Sequence, residues 1–164
     1  MSILKHQRGT TIIEFTIVAS VFFILLFAII EFGRLLFTWH VLNETTRQTA
    51  RFATVCQITQ QEQSDLINRV LSNKPALPNF DMRNIKLSYL DGSGVVIEGD
   101  LSQESQFNQI RYVRASIVNY HLPLTIPFFV LDLFAPDFST TLPRESLGIL
   151  RPDSESDTTI FSDC

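Results

Sequence analysis

The 164-residue chain has little of what staples or metallates a small domain. Its two cysteines, Cys56 and Cys164, are too few for a disulfide scaffold and too far apart in sequence for a metal knuckle. A single bridge between them is allowed in an oxidising compartment; the other reading is a half-buried Cys56 ending a helix and a free terminal thiol. The three histidines, His6, His40 and His121, are scattered, with no carboxylate or cysteine at ligand spacing, so no metal and no cofactor is expected. There is no G-x-S-x-G, no glycine-rich phosphate loop and no Cys/His pair at motif spacing. The chain therefore reads as non-enzymatic. Basic residues are isolated rather than clustered, which leaves nucleic-acid binding without an electrostatic footprint. No internal repeat is present, and the triplet Asn43-Glu44-Thr45, a glycosylation sequon by pattern, falls inside an expected helix.

What the chain does have is one long apolar run. From Thr10 to Ile30 a single charge, Glu14, interrupts 21 residues, enough as a helix to cross a hydrocarbon core of about 30 Å. Removing that run leaves a remainder of ordinary polarity, so the soluble part is small. Lys5 and Arg8 precede the run and set its expected orientation, with residues 1–9 in the cytoplasm and the rest beyond the membrane. Residues 1–9, MSILKHQRG, read as a basic leader ending in glycine rather than as structure. The run that follows is too long for the apolar core of an ordinary secretory signal.

After Ile30 the pattern changes to a stripe: Phe32, Leu35, Leu36, Trp39, Leu42, Thr46, Thr49, Ala50 and Ala53 recur at helical spacing. Nothing breaks the helix between Gly33 and Cys56, so one helix is expected from about Thr10 to Val55, about 70 Å long at 1.5 Å per residue. Residues 31–56 form its amphipathic continuation. Glu31 and Arg34 can pair at i,i+3 and mark the membrane exit, with Trp39 nearby. A second helix is expected over Gln60–Ser72, stopped by Asn73, Pro75 and Pro78. Ile85–Leu90, the turn DGSG and Val95–Glu98 read as a β-hairpin. QIRYVRASIVNYHLPL reads as one further strand, and Phe138–Leu142 as a last one. TIPFFVLDLFAPDF, Thr125–Phe138, is too short to span a membrane and is expected as a buried helix or a loop over the sheet. The fold class is thus α+β: a long N-terminal helix, a small antiparallel sheet head over residues 57–150, and an acidic, mobile tail over 151–164.

RGTTIIEF, Arg8–Phe15, combines a basic leader, a glycine, a carboxylate five residues on, and a phenylalanine at the mouth of the run. This resembles the class III signal of type IV pilins and pseudopilins. More narrowly, Arg8, Gly9, Glu14 and Phe15, then Glu31-Phe32-Gly33, then Ala50, Arg51 and Ala53, resemble TadE-like minor pilins of the tight-adherence (Tad) pilus system. VNYHLPLTIPFFVLDL and LPRES, Leu142–Ser146, resemble that family more loosely, and Thr10-Thr11 departs from the small apolar residues usual there. The resemblance implies a pilin-like fold and cleavage by a prepilin peptidase between Gly9 and Thr10. It also implies other pilin subunits, an inner-membrane assembly platform driven by an ATPase, and membrane lipid as partners. Localisation would be the bacterial inner membrane with the head periplasmic, then the surface pilus, with roles in adhesion and biofilm.

Elementary chemistry gives the motif residues roles. Glycine at position 9 lets a peptidase approach the backbone closely. The cut frees an ammonium on Thr10. A bare Glu14 carboxylate costs about 2.5–3.5 kcal/mol at the bilayer centre and less towards the interface. A neighbouring subunit's Thr10 ammonium would compensate it and set the register between subunits. A lone Glu14 could instead snorkel at the interface of a plain anchor. The alternative reading of the whole is an uncleaved, signal-anchored periplasmic binding or sensor module.

Overall fold

A computed structural model describes the backbone of residues 7–101, 103–126, 129–150 and 160–161, and side chains over 10–101, 103–124 and 131–149. The chain divides into two compact units. One takes the described residues up to Phe37 together with Pro123–Leu133; the other takes Thr38–Leu122 and the residues from Phe134 onwards. The architecture is α+β, a long N-terminal helix followed by a small antiparallel sheet head.

Helix α1 runs Gln7–Ala53, 47 residues without a break. It starts inside the expected leader, because nothing between Gln7 and Thr10 stops a helix except one glycine, which helices tolerate at about 1 kcal/mol. Helix α2 spans Gln60–Ser72, as its periodicity predicts, with Thr59 as N-cap accepting from the Glu62 amide at 3.3 Å. Its Leu66, Ile67 and Val70 are buried.

In the second unit a three-stranded sheet has the order β1 (Ile85–Leu90), β2 (Tyr112–Ile117) and, numbering on, β5 (Ser139–Pro143), all antiparallel. The cross-strand pairs Ile85/Ile117, Leu87/Ala115 and Tyr89/Val113 share one face. Val113, Ala115 and Ile117 are buried on it. The second half of α1 covers this sheet. Trp39 meets Phe138 edge to face at 6.4 Å between centroids, and the Thr46 and Thr140 hydroxyls lie 3.1 Å apart. The buried stripe of α1 is Thr38, Val41, Leu42, Thr45, Thr46, Thr49, Ala50 and Ala53. Small side chains let the helix approach the sheet closely. Phe32 and Leu36, expected on that stripe, are instead exposed.

Three strand expectations are corrected. QIRYVRASIVNYHLPL is two strands, β2 and β3 (His121–Ile126), because Asn119 takes a left-handed turn at φ 52°. The Asn84 amide holds that turn by donating to the Val118 and Asn119 carbonyls at 3.2 Å. Most of the segment expected as a buried helix or loop is the end of β3 and all of β4 (Phe129–Phe134), which pair as a separate two-stranded sheet. Val95–Glu98 does not extend into a strand: beyond the Asp91 turn there is one isolated bridge, Leu90 to Val96, and β2 is the true partner of β1. Asp91 organises the turn, its carboxylate accepting from the Ser93 and Val95 amides. Those bonds hold its carboxyl below the usual aspartate range, led by the Ser93 side chain.

Within the segment expected as a solvated tail, Ile160–Phe161 forms β7 on β6 (Ile149–Leu150). Residues 151–159 and 162–164 lie outside the described residues.

Candidate assembly site

The motif sits on the first turns of α1. Arg8 and Gly9 are helical in backbone, while their side chains lie outside the described residues. Thr10, Glu14 and Phe15 are exposed, Phe15 at 73 %. Four residues apart, Thr10 and Glu14 share one face of the helix. The structure thus places these two together at its surface.

From Thr10 the helix is a candidate membrane span, and its most apolar 18-residue window has mean hydropathy 2.7 with 0 % buried. None of the described residues covers this window. The polar side chains within it bond to their own backbone: Thr16 donates to the Ile12 carbonyl at 2.8 Å and Ser20 to the Thr16 carbonyl at 2.7 Å. A lipid-facing helix needs this, because hydrocarbon offers hydroxyls no partner.

At the end of the run Glu31 and Arg34 pair one turn apart, Arg34 Nε donating to Glu31 Oε2 at 2.9 Å. Arg34 Nη2 also donates to the Pro123 carbonyl, which belongs to the same unit. Sequence reasoning finds the first contact and misses the second, because 89 residues separate the partners.

Just past the far end of α1, two backbone carbonyls of the turn that follows it are met by a segment close to LPRES. The Leu147 amide donates to the Thr54 carbonyl at 3.0 Å and the Gly148 amide to the Val55 carbonyl at 2.7 Å. Gly148 has φ +83°, and a Cβ there would lie 2.9 Å from the Gln57 backbone. Only glycine allows that approach without strain. The preceding residue, Leu147, is buried in a left-handed conformation, and this Leu-Gly pair is the sequence signal that could have marked the clasp. Cys56 beside it is buried and disulfide-bonded, while its expected partner Cys164 lies outside the described residues.

The second unit also carries an open groove of about 920 Å³, bordered by Arg47, Arg51, Phe52, Leu142, Pro143 and Glu145. Near its helix edge the Gln48 amide bonds Glu44 at 2.8 Å and, with weaker help from Lys74, Arg47 and His40, holds that carboxyl below its ordinary range against the cost of burial. Among the described residues no three histidine, cysteine or acidic side chains gather as metal ligands.

Residues 9–51 match the family model of TadE-like proteins. The match begins at Gly9 and takes in the apolar run, Glu31-Phe32-Gly33 and the first two residues of Ala50-Arg51-x-Ala53; the head lies outside it. No curated protein and no solved structure matches the chain.

Proposed function

Because the chain carries a TadE-like segment over residues 9–51, which associates it with a Tad pilus system, we propose that it is a minor pilin or pseudopilin without catalytic activity. It inserts with residues 1–9 in the cytoplasm and is cut by a prepilin peptidase between Gly9 and Thr10. It then joins other pilin subunits through an inner-membrane platform worked by an assembly ATPase. One observation carries this reading: the matched segment opens on Gly9 and bears an exposed Glu14, and its most apolar stretch has no cover among the described residues. An apolar helix surface of this kind suits two successive environments, lipid before assembly and the helices of neighbouring subunits after it.

The chemistry of the joint follows from the cut. Hydrolysis of the Gly9–Thr10 peptide bond leaves a carboxylate on the leader and an ammonium on Thr10. Within the filament core that ammonium meets Glu14 of a neighbour, and the pair sets the axial register. A mismatch would leave two unpaired charges among apolar helices, so the pair acts chiefly on specificity. Adhesion and biofilm formation are the expected roles of the filament.

The open groove favours a second reading, an uncleaved signal-anchored module whose head binds a ligand. The two differ at the N-terminus. Intact-mass and N-terminal peptide mass spectrometry of protein from the native membrane is expected to find Thr10 first. A mature chain beginning at Met1 or Ser2 would overturn the pilin reading.

A further inference from the structure

The apolar surface of the first unit does not stop where the membrane-length run stops. Beyond Ile30, α1 exposes Phe32 at 61 %, Leu36 at 47 % and Phe37 at 51 %. The β3–β4 hairpin adds Leu131, exposed at 50 %. From Pro123 to Leu133 that hairpin carries a single charge, the exposed Asp132. It is a separate two-stranded sheet, apart from the sheet of the head. A two-stranded sheet is at best marginal in water on its own; here Leu124 is buried in the protein while Leu131 is left exposed.

Two observations give its depth. Arg34 donates to the carbonyl of Pro123, so the root of the hairpin is tied to α1 one turn past the end of the run. Pro123–Leu133 also forms one compact unit with the helix up to Phe37, so the hairpin accompanies the helix on its membrane side. At 1.5 Å per residue, Ile30 to Phe37 covers about 10 Å along the helix. That is close to the depth, about 5–10 Å, over which interfacial elements sit between headgroups and acyl chains.

Resting on the membrane-anchor part of the reading above, we propose that Phe32, Leu36, Phe37 and the Leu131 side of the hairpin form a collar in the lipid interface. Before assembly the protein is then held by a span plus a shallow second contact with the periplasmic leaflet. The Glu31–Arg34 pair lies within the collar, at the level where charged groups still reach headgroups and water. The hairpin thereby limits the tilt and axial slip of α1 in the membrane. The lipid is the occupant because this apolar surface continues that of the span without a gap and begins at the span's exit.

The experiment uses the full chain in phosphatidylethanolamine/phosphatidylglycerol vesicles, with Trp39→Phe removing the native tryptophan. Single tryptophans are introduced by Leu131→Trp, Leu36→Trp and Val21→Trp, all at exposed positions. Fluorescence is read with nitroxide lipids labelled near the headgroup or near the chain end. Leu131→Trp and Leu36→Trp are expected to lose about twofold in intensity, or more, with the shallow label, and Val21→Trp with the deep one. If Val21→Trp is quenched and Leu131→Trp is not, the collar is overturned while the anchor stands. A blue-shifted, unquenched Leu131→Trp would overturn it in favour of cover by a second copy. If Val21→Trp escapes both labels, the anchor reading fails and takes the collar with it.

Discussion

Residues 10–30 and residues 38–53 belong to one unbroken helix, yet they solve opposite problems. In the first stretch Phe15, Ile29 and Val18 stand 68–73 % exposed; in the second Leu42, Thr45, Thr46, Thr49 and Ala50 are at 0 %. The first is apolar nearly all round, as suits a candidate membrane span, because a helix in hydrocarbon meets apolar surroundings on every side. The second shows the sheet a narrow stripe of small and hydroxylated residues. Threonine is a modest helix former, and four of them are buried there, at 38, 45, 46 and 49. Thr46 reaches the Thr140 hydroxyl of β5 at 3.1 Å, and Thr45 and Thr46 bond the Val41 and Asn43 carbonyls at 2.7 and 2.8 Å. A helix surface therefore reports its surroundings more faithfully than its local propensity does.

The contrast can be broken most severely at Glu14. Glu14→Leu makes the first stretch uniformly apolar; cleavage is expected to persist while incorporation into the filament is lost, scored by subunit content of sheared pili. Wild-type piliation would remove the register role. Next in size is Leu42→Ala, expected to cost the head about 3 kcal/mol, against less than about 0.5 kcal/mol for Ile24→Ala. Urea unfolding of the full chain in detergent, followed by hydrogen exchange of the sheet, compares the two. Equal costs would mean that the first stretch is packed within the protein after all.

A third test uses pH. Burial pushes the Tyr89 phenol from 10 up to about 12. Since the folded value is the higher, its contribution is complete below pH 10, falls as the pH rises from 10 to 12, and is gone above. The loss is on the order of 3 kcal/mol, and Tyr89→Phe should flatten that part of the alkaline stability curve. An unchanged slope would show that another group carries it. The smallest effect is expected at Thr49, whose buried hydroxyl has no hydrogen-bond partner among the described residues. Thr49→Val keeps the shape and removes the orphan, so stability should be unchanged or rise by up to about 1 kcal/mol. A loss of that size at Thr49 would point to a bond made by its hydroxyl.

How far the sequence could be read follows the distance between partners. The apolar run, α2 and the Glu31–Arg34 pair depend on residues a few positions apart, and each is where its pattern places it. TIPFFVLDLF failed as a reading because a short apolar run has the same composition whether it is a buried helix or a strand. The break at Asn119 hid inside an alternating pattern, since asparagine can also take a left-handed turn, and here Asn84 reaches across to hold it. Phe32 and Leu36 fitted the helical stripe, but periodicity marks a face without saying what lies opposite.

By itself the sequence determined that this chain has a membrane-length helix opening on Arg8-Gly9 and Glu14, because hydrophobicity, charge order and short motifs are properties of neighbours along the chain. Tertiary structure alone decided that β1 pairs with β2 instead of Val95–Glu98, that threonines are buried while Phe32 and Leu36 are exposed, and that Pro123 is tied to Arg34. Each of those joins residues far apart in the chain, and the free energy that selects them comes from burial and hydrogen bonds that exist only once the chain has folded.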